Sequence, residues 1–496
     1  MYLLGYDIGS SSVKAALVNT DSGQCVASAS YPKSEAPIAS LHPGWAEQKP
    51  NHWWEYLKQA TAELLEMAHP DVDAIAAIGI SYQMHGLVCV DKEGQPLRDS
   101  IIWCDSRAVG IGEQAFNDLG HERCLSHLLN TPGNFTASKL AWVREHEPEL
   151  FEKIDKIMLP GDYIALRMTG HATTTIEGLS EGMLWDFQEG NLAHFLLDYY
   201  QIPTSMICPI TPTFGEQGRL TTVAARDLGL KAGIPVCYRA GDQPNNALSL
   251  DVFEPGEVAA TAGTSGVVYG VLGQVNYDPL SRVNTFAHVN HAPTLPRLGV
   301  LLCINGTGIL NAWLHHEVCP DTTYNDMNRM ATRVAPGSEG LTMLPFGNGA
   351  ERVLLNRNLG ASMVGLDLVR HNRSHMIRAA HEGIACAFAY GMKIMEGMGM
   401  HFEYIRAANA NMFRSAILVE TLANIMGATI ELCETDGAIG AAKGAGIGCG
   451  LYADHKEAFA SLQRSISYTA EEDKRGVYEE LYARWSTLLE RAITNQ

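Results

Sequence analysis

Two glycine–hydroxyl turns lie about half a chain apart, one within YLLGYDIGSSSVKAALV (Tyr2 to Val18) and one within VAATAGTSGVVYGV (Val258 to Val271). Each reads as a strand, a turn and a second strand. Backbone N–H groups in such a turn point into a concavity that attracts anions. Small residues let a phosphate come within hydrogen-bonding distance: Ser10, Ser11 and Ser12 in the first turn, Gly263, Thr264 and Ser265 in the second. Asp7 stands at the mouth of the first turn, available to a metal ion. Two such half-sites predict a two-domain protein that closes on a nucleotide.

A second constellation combines Gln83-Met84-His85-Gly86, Ile102-Trp103-Cys104-Asp105-Ser106-Arg107 and Ala240-Gly241-Asp242-Gln243. Each follows a strand-like run, and strand ends in α/β sheets are where ligands collect. Polar side chains there suit a polyhydroxyl substrate. Singly, each has an ordinary reading too: His85 as a structural histidine, Trp103 as a core anchor, Asp242 as a turn or helix-cap residue. Spacing alone leaves both open.

The elements that must position these residues alternate along the chain. Ala74 to Ile80 and Gly86 to Val90 read as strands, whereas Asn51 to Ala68 and His375 to Met395 carry helical spacing. Such alternation predicts α/β architecture. Pro and Gly punctuation places a domain boundary near Leu248 to Pro255, giving domains 1–247 and 248–496. The chain has no Gly-Lys pair, so a Walker A loop is excluded. Gly437 to Gly450 misses the GxGxxG spacing, and its small residues predict a helix packed close to a sheet.

Composition narrows the partners. At 496 residues the chain exceeds one ordinary core, and a net charge of -19 argues against nucleic acid or a membrane surface as partner. No basic n-region precedes an apolar run, and no apolar stretch is long enough to span a bilayer. Eleven scattered cysteines without a CxxC pair suit free thiols in a reducing compartment, so a cytoplasmic location is expected.

Taken in chain order, these motifs resemble the FGGY carbohydrate kinases, and within them the xylulokinase branch. DIGSSSVK at Asp7 to Lys14 is similar to the family's DxGTxxxK/R turn, with Ser10 for the usual Thr. His42 to Gln48 resembles the HPxWxEQ segment, and Gln83 to Gly86 matches the QMHG tetrapeptide that separates xylulokinase-like members from glycerol kinases. Thr136 to His146 resembles the first family signature, with Asn134 where a small or aromatic residue is usual. Ala361 to Glu382 resembles the second, with His381 where an apolar residue is usual; neither departure falls on presumed chemistry. Gly241-Asp242-Gln243 resembles the catalytic GD(N/Q). Arg406 to Asn411 replaces a glycine-rich adenine-side turn, and Leu344 to Arg352 matches the LPYxxGERTP segment only loosely.

The resemblance implies two actin-like, ribonuclease-H-like ATPase domains around a central cleft, and transfer of the ATP γ-phosphoryl group to a sugar hydroxyl. By it, Asp242 is the catalytic base and Asp7 orients Mg²⁺. Met84 and His85 face the sugar, with Gln243 at the reacting end and Trp103 and Asp105 as further contacts. Ser10 to Ser12 and Gly263 to Ser265 line the phosphates, Gly308 lets adenosine approach, and Asn409 lies on the adenine side. The implied substrate is a pentulose, D-xylulose foremost, with ribulose, gluconate or glycerol as alternatives; the alternative of another class is a non-catalytic actin-like ATP switch. A homodimer is the further partner state considered.

Overall fold

The computed structural model describes residues 1–495. The first turn joins strands β1 (Tyr2–Ile8) and β2 (Val13–Asn19), paired antiparallel from Tyr2 against Asn19 to Ile8 against Val13. β3 (Cys25–Tyr31) continues on the far side of β2, and β4 (Ile75–Tyr82) and β5 (Val236–Gly241) add in parallel beside β1. The resulting five-stranded sheet has the order β5-β4-β1-β2-β3.

The second half repeats that plan. The second turn joins β6 (Val258–Ala262) to β7 (Gly266–Leu272), β9 (Leu298–Ile304) pairs antiparallel beyond β7, and β10 (Tyr404–Ala408) and β11 (Thr429–Cys433) add in parallel beside β6. Edge strands β8 (Asn284–Ala287) and β12 (Arg464–Tyr468) widen the sheet to β8-β9-β7-β6-β10-β11-β12. A hairpin followed by parallel strands on its first strand, used twice, is the duplicated actin-like plan the sequence implied.

Seven helices frame the two turns and the strand ends: α1 (Pro50–Ala68), α2 (Thr136–His146), α3 (Ile176–Glu181), α4 (Asp242–Ser249), α5 (Gly308–Trp313), α6 (Arg373–Gly397) and α7 (Gly437–Gly448). α1 buries Trp53, Trp54, Leu57 and Leu64 against the first sheet, and α6, apolar through most of its length, underlies the second. All strands of the first sheet precede residue 242 and all those of the second follow residue 257.

Helix α7 nevertheless crosses back to lie on the first sheet, where its small residues meet Gly5 and Gly79. A Cβ on Gly5 would fall 1.9 Å from the Ala438 carbonyl oxygen, and one on Gly79 equally close to that of Ala441. The small-residue stretch is thus a tightly packed helix, and its N-terminus is delivered beside Asp7. Among the described residues no helix is long and apolar enough to cross a membrane, and the eleven cysteines are free thiols.

Candidate active site

Parallel strands β1, β4 and β5 end together, and their C-terminal ends carry Asp7, Ser81 and Asp242. Ser81 donates its hydroxyl to Asp7 Oδ1 at 2.9 Å. Burial raises the Asp7 pKa and nearby Asp436 adds to the rise, while the Ser81 bond and Lys14 oppose it. Lys14 Nζ in turn pairs with Asp436 at 3.2 Å, and Asp436 caps α7 by accepting from the Ile439 N–H at 3.0 Å. Asp242 opens α4. Burial, then the Asp7 charge, push its carboxyl up to about 7 against hydrogen bonds from Gln243. A carboxyl in that range can take a proton at neutral pH, which general-base chemistry requires.

The first turn is braced by a residue of the HPGWAEQ segment. Gln48 donates from Nε2 to the Ser10 carbonyl at 2.7 Å and accepts at Oε1 from Gln83 Nε2 at 3.2 Å and Trp53 Nε1 at 3.1 Å. Trp103, half-exposed, donates its indole N–H to Ser10 Oγ at 3.4 Å. Three motifs distant in sequence therefore converge on the first turn.

His85 holds a left-handed backbone, φ 62°, and its ring is packed between Phe135 and Phe286 with centroids 4.8 and 5.3 Å away. Burial, helped by Lys139, holds its pKa down at about 3, so the ring is neutral. Nδ1 lies 3.0 Å from the Glu181 carbonyl, which can only accept; Nδ1 therefore carries the proton and Nε2 keeps a lone pair for a hydroxyl donor. Met84 is buried alongside, in contact range of Gly241.

Asp105 departs from its expected contact role. Its carboxylate accepts from Ala46 N–H at 2.6 Å, from Arg107 N–H at 2.8 Å and from the Arg107 guanidinium at 2.7 Å, and the residue is 1 % exposed. Its oxygens tie its own loop to the segment that carries Ala46. Lys139, which no sequence argument singled out, is a buried cation donating to the His85 carbonyl at 2.8 Å and the Ile102 carbonyl at 3.0 Å. It joins the two segments that carry Met84–His85 and Trp103.

The second turn lies at one wall of a cavity of about 440 Å³ lined by Gly263, Thr264, Gly308, Asn328, Asn411 and Arg414 among others, a volume in the range of small-molecule sites. α5 begins against the turn: Gly308 N–H donates to the Gly263 carbonyl at 3.0 Å and Ile309 N–H to that of Thr264 at 3.1 Å. A Cβ on Gly308 would fall 2.1 Å from the Gly263 oxygen, so this glycine is needed for the packing of the turn itself. Glu351, in the loosely matched segment, accepts from Asn305 and Gly306 N–H at 3.0 and 3.2 Å and so fixes the NGTG turn; burial raises it to about 7.

Asn409 is placed apart from this cavity, its amide donating to Glu434 Oε1 at 2.9 Å. Asn411, two residues on, lines the cavity and takes the left-handed φ of 51° that the glycine-poor turn requires. His381 also corrects the expectation. It is buried and neutral, held down at about 4 by burial, and bridges Asn311 Oδ1 at 3.0 Å and Ser415 Oγ at 2.8 Å, both cavity-lining residues. That departure from the family pattern reaches the lining of the cavity beside the second turn.

With this geometry in place, the comparisons are specific. The family model for the N-terminal domain of the FGGY carbohydrate kinases matches residues 2–249, and the model for the C-terminal domain matches residues 258–449. The chain belongs to the FGGY family of carbohydrate kinases. It is similar to the xylulose kinase of Bacillus subtilis (strain 168), 27% identical over 403 residues that cover 80% of this chain and 78% of the relative. Its fold matches the crystal structure of xylulose kinase from Rhodospirillum rubrum with a TM-score of 0.88 at 27% identity, over 99% of both chains. Gluconate kinase from Lactobacillus acidophilus, at 22% identity, shares the fold with a TM-score of 0.90 over 99% of this chain and 98% of its own. This FGGY chain is an ATP-dependent sugar phosphotransferase, and its two sheets are the family's actin-like ATPase domains.

Proposed function

We propose that this FGGY kinase phosphorylates a pentulose, D-xylulose foremost, to the 5-phosphate, with Asp242 as general base. One observation carries the reading: Asp242, with a carboxyl poised near 7, stands at the strand end beside Met84 and a neutral His85 whose Nε2 is free to accept from a sugar hydroxyl.

The sugar's terminal hydroxyl oxygen attacks the γ-phosphorus. The new P–O bond forms as the bond to the β,γ-bridging oxygen breaks, and the hydroxyl proton passes to the Asp242 carboxylate. Ser10 to Ser12 and Gly263 to Ser265 present N–H and hydroxyl donors to the phosphates from opposite halves of the chain, so alignment is supplied by closing one half on the other. The 440 Å³ cavity beside Gly308 accepts the adenosine.

Asp7 is a hard-oxygen carboxylate at a strand end, and Mg²⁺ is commonly held by one or two carboxylates together with substrate phosphates, so this residue fits that ion. When bound, Mg²⁺ supplies charge neutralisation on the phosphates. Asp7 would hold it, with Ser81 keeping Asp7 oriented. The eleven free thiols suit a reducing, cytoplasmic setting.

The test is coupled ADP release with Mg-ATP across xylulose, ribulose, gluconate, glycerol and no sugar. The expected result is turnover that depends on sugar and is greatest with xylulose. A higher kcat/KM for gluconate or ribulose reassigns the substrate, and turnover indifferent to sugar overturns the reaction.

A further inference from the structure

Beneath the strand end that carries Asp242 lies a feature the phosphoryl-transfer scheme does not use. Helix α3 presents Glu177 and Glu181 one turn apart, 1 % and 0 % exposed. The Glu177 carboxyl accepts from Gly241 N–H at 3.3 Å and from the Tyr82 hydroxyl at 3.4 Å. Glu181 Oε2 accepts from His85 N–H at 3.3 Å, while the Glu181 carbonyl takes His85 Nδ1–H. The two carboxyls converge on Gly241, where a Cβ would lie 3.2 Å from Glu177 Oε1 and 3.3 Å from Glu181 Oε2. Glu181 Oε1 is buried without a hydrogen-bond partner among the described residues.

Among the described residues neither carboxyl forms a salt bridge with a lysine or arginine, although the nearby Arg239 charge opposes the rise of Glu177. Arg239, the buried guanidinium on β5, is held by Asp162 at 2.9 Å, and Lys139 is held by the carbonyls of His85 and Ile102. The other groups facing the pair are His85, neutral; Tyr82, Tyr238 and Tyr269, whose phenols burial pushes up; and Asp162 and Asp242, which add negative charge. Two carboxylates cannot both ionise in such a place.

We propose that Glu177 and Glu181 are positioning residues for phosphoryl transfer: a proton-holding carboxyl pair that fixes the His85 loop and the Gly241–Asp242 segment in one frame. The pair deepens the kinase reading and rests on it. Burial, then the Asp162 charge, keep Glu177 raised to about 8, and burial, then the Glu177 charge, keep Glu181 well above its ordinary value, so at neutral pH the pair ties two backbone segments together without an unneutralised pair of charges beneath Asp242.

The experiment compares Glu181→Gln, Glu177→Gln with Glu181→Gln, and Glu181→Ala, using full-length protein. Infrared difference spectra at pH 7 read protonation directly: wild type shows a protonated-carboxyl band that weakens in Glu181→Gln and more in the double variant. Kinetically, the glutamine variants keep kcat/KM for the sugar within about threefold and leave its acidic limb in place, because an amide copies the size and neutrality of a protonated carboxyl. Glu181→Ala removes the side-chain acceptor of the His85 backbone N–H, leaving the carbonyl that holds Nδ1, and lowers kcat/KM by about 10- to 100-fold, with KM for the sugar rising and KM for ATP unchanged. Absence of the band, an acidic limb displaced downward in Glu181→Gln, or an unimpaired Glu181→Ala overturns the proposal. A wild type inactive on every sugar sinks the kinase reading, and the infrared band still decides the state of the pair.

Discussion

Asn130 and Thr285 exchange two hydrogen bonds across the halves of the molecule: Thr285 N–H donates to Asn130 Oδ1 at 3.0 Å, and Asn130 Nδ2 donates to the Thr285 carbonyl at 2.6 Å. Thr285 lies on β8, the open edge of the seven-stranded sheet, so one side-chain amide stands in for a missing strand. Next to it, Ala287 N–H donates to Ser180 Oγ at 2.8 Å, and Phe286 between them packs on His85. The surroundings of His85 are therefore built partly by the second half. Asn130→Ala leaves a buried N–H and a buried carbonyl unpaired and is expected to destabilise by about 2–4 kcal/mol, read from urea unfolding. It also raises KM for the sugar, since Phe286 loses its anchor; wild-type values on both counts contradict this account.

Replacement of Asp242 by Asn keeps shape and removes the proton acceptor. The expected loss is about 10²- to 10⁴-fold in kcat, with KM for ATP little changed, because the nucleotide cavity lies against the other turn. Coupled ADP release with sugar saturating measures it. An unimpaired variant removes Asp242 from the chemistry.

The raised Asp242 carboxyl sets a pH dependence. As the proposed base it would act as the anion, and burial with the Asp7 charge moves its protonation up to about 7. The kcat/KM for sugar is thus level on the alkaline side and falls about tenfold per unit as pH drops below about 7. Glu351 is raised to the same region, so Glu351→Gln is the control: the limb stays if it belongs to Asp242.

Stability carries a second pH signature. The folded state raises Glu177, to about 8, and Glu181, so each binds its proton more tightly folded than unfolded. Their contribution is fully present below the unfolded carboxyl pKa and is lost as pH climbs toward and past 8. Buried His85, His288 and His381 act oppositely: held down at about 3, 3 and 4, they lose stability as pH falls below about 6.5. Urea midpoints measured from pH 5 to 9 are expected to peak between these limbs, and the double glutamine variant at 177 and 181 flattens the alkaline one.

What the sequence made legible was the local and the repeated. Each phosphate hairpin is a contiguous strand–turn–strand, and the small residues of α7 announced a close approach that Gly5 and Gly79 complete. What it hid was long-range and polar. Lys139 reads as one cation in an ordinary helix, and only the fold brings two loop carbonyls to its ammonium. Asp105 reads as a free acid at a strand end, yet Arg107, two residues on, turns back to occupy it. Glu177 and Glu181 look like solvated helix charges until α3 is seen to be buried under β5. Asn409 and Asn411 differ by two positions and by which way the backbone turns, which composition does not encode.

Gly308 offers the sharpest separation of nucleotide from sugar. Its lack of a side chain lets α5 start against the second turn, with Gly308 and Ile309 donating to the carbonyls of Gly263 and Thr264. In Gly308→Ala the new Cβ would meet backbone, the Gly263 oxygen at 2.1 Å, and backbone yields less readily than a side-chain tip. Either the turn or the helix start must move, and both line the nucleotide cavity. Displacing donors from a phosphate turn by about 1 Å is expected to cost about 100-fold in kcat/KM for ATP. Met84, His85 and Gln243 belong to the other half of the chain, so sugar binding, followed by calorimetry without nucleotide, stays within about twofold of wild type. A variant with intact ATP kinetics shows that the turn has room the packing denies. One that loses sugar and ATP affinity together shows that the two halves do not respond independently.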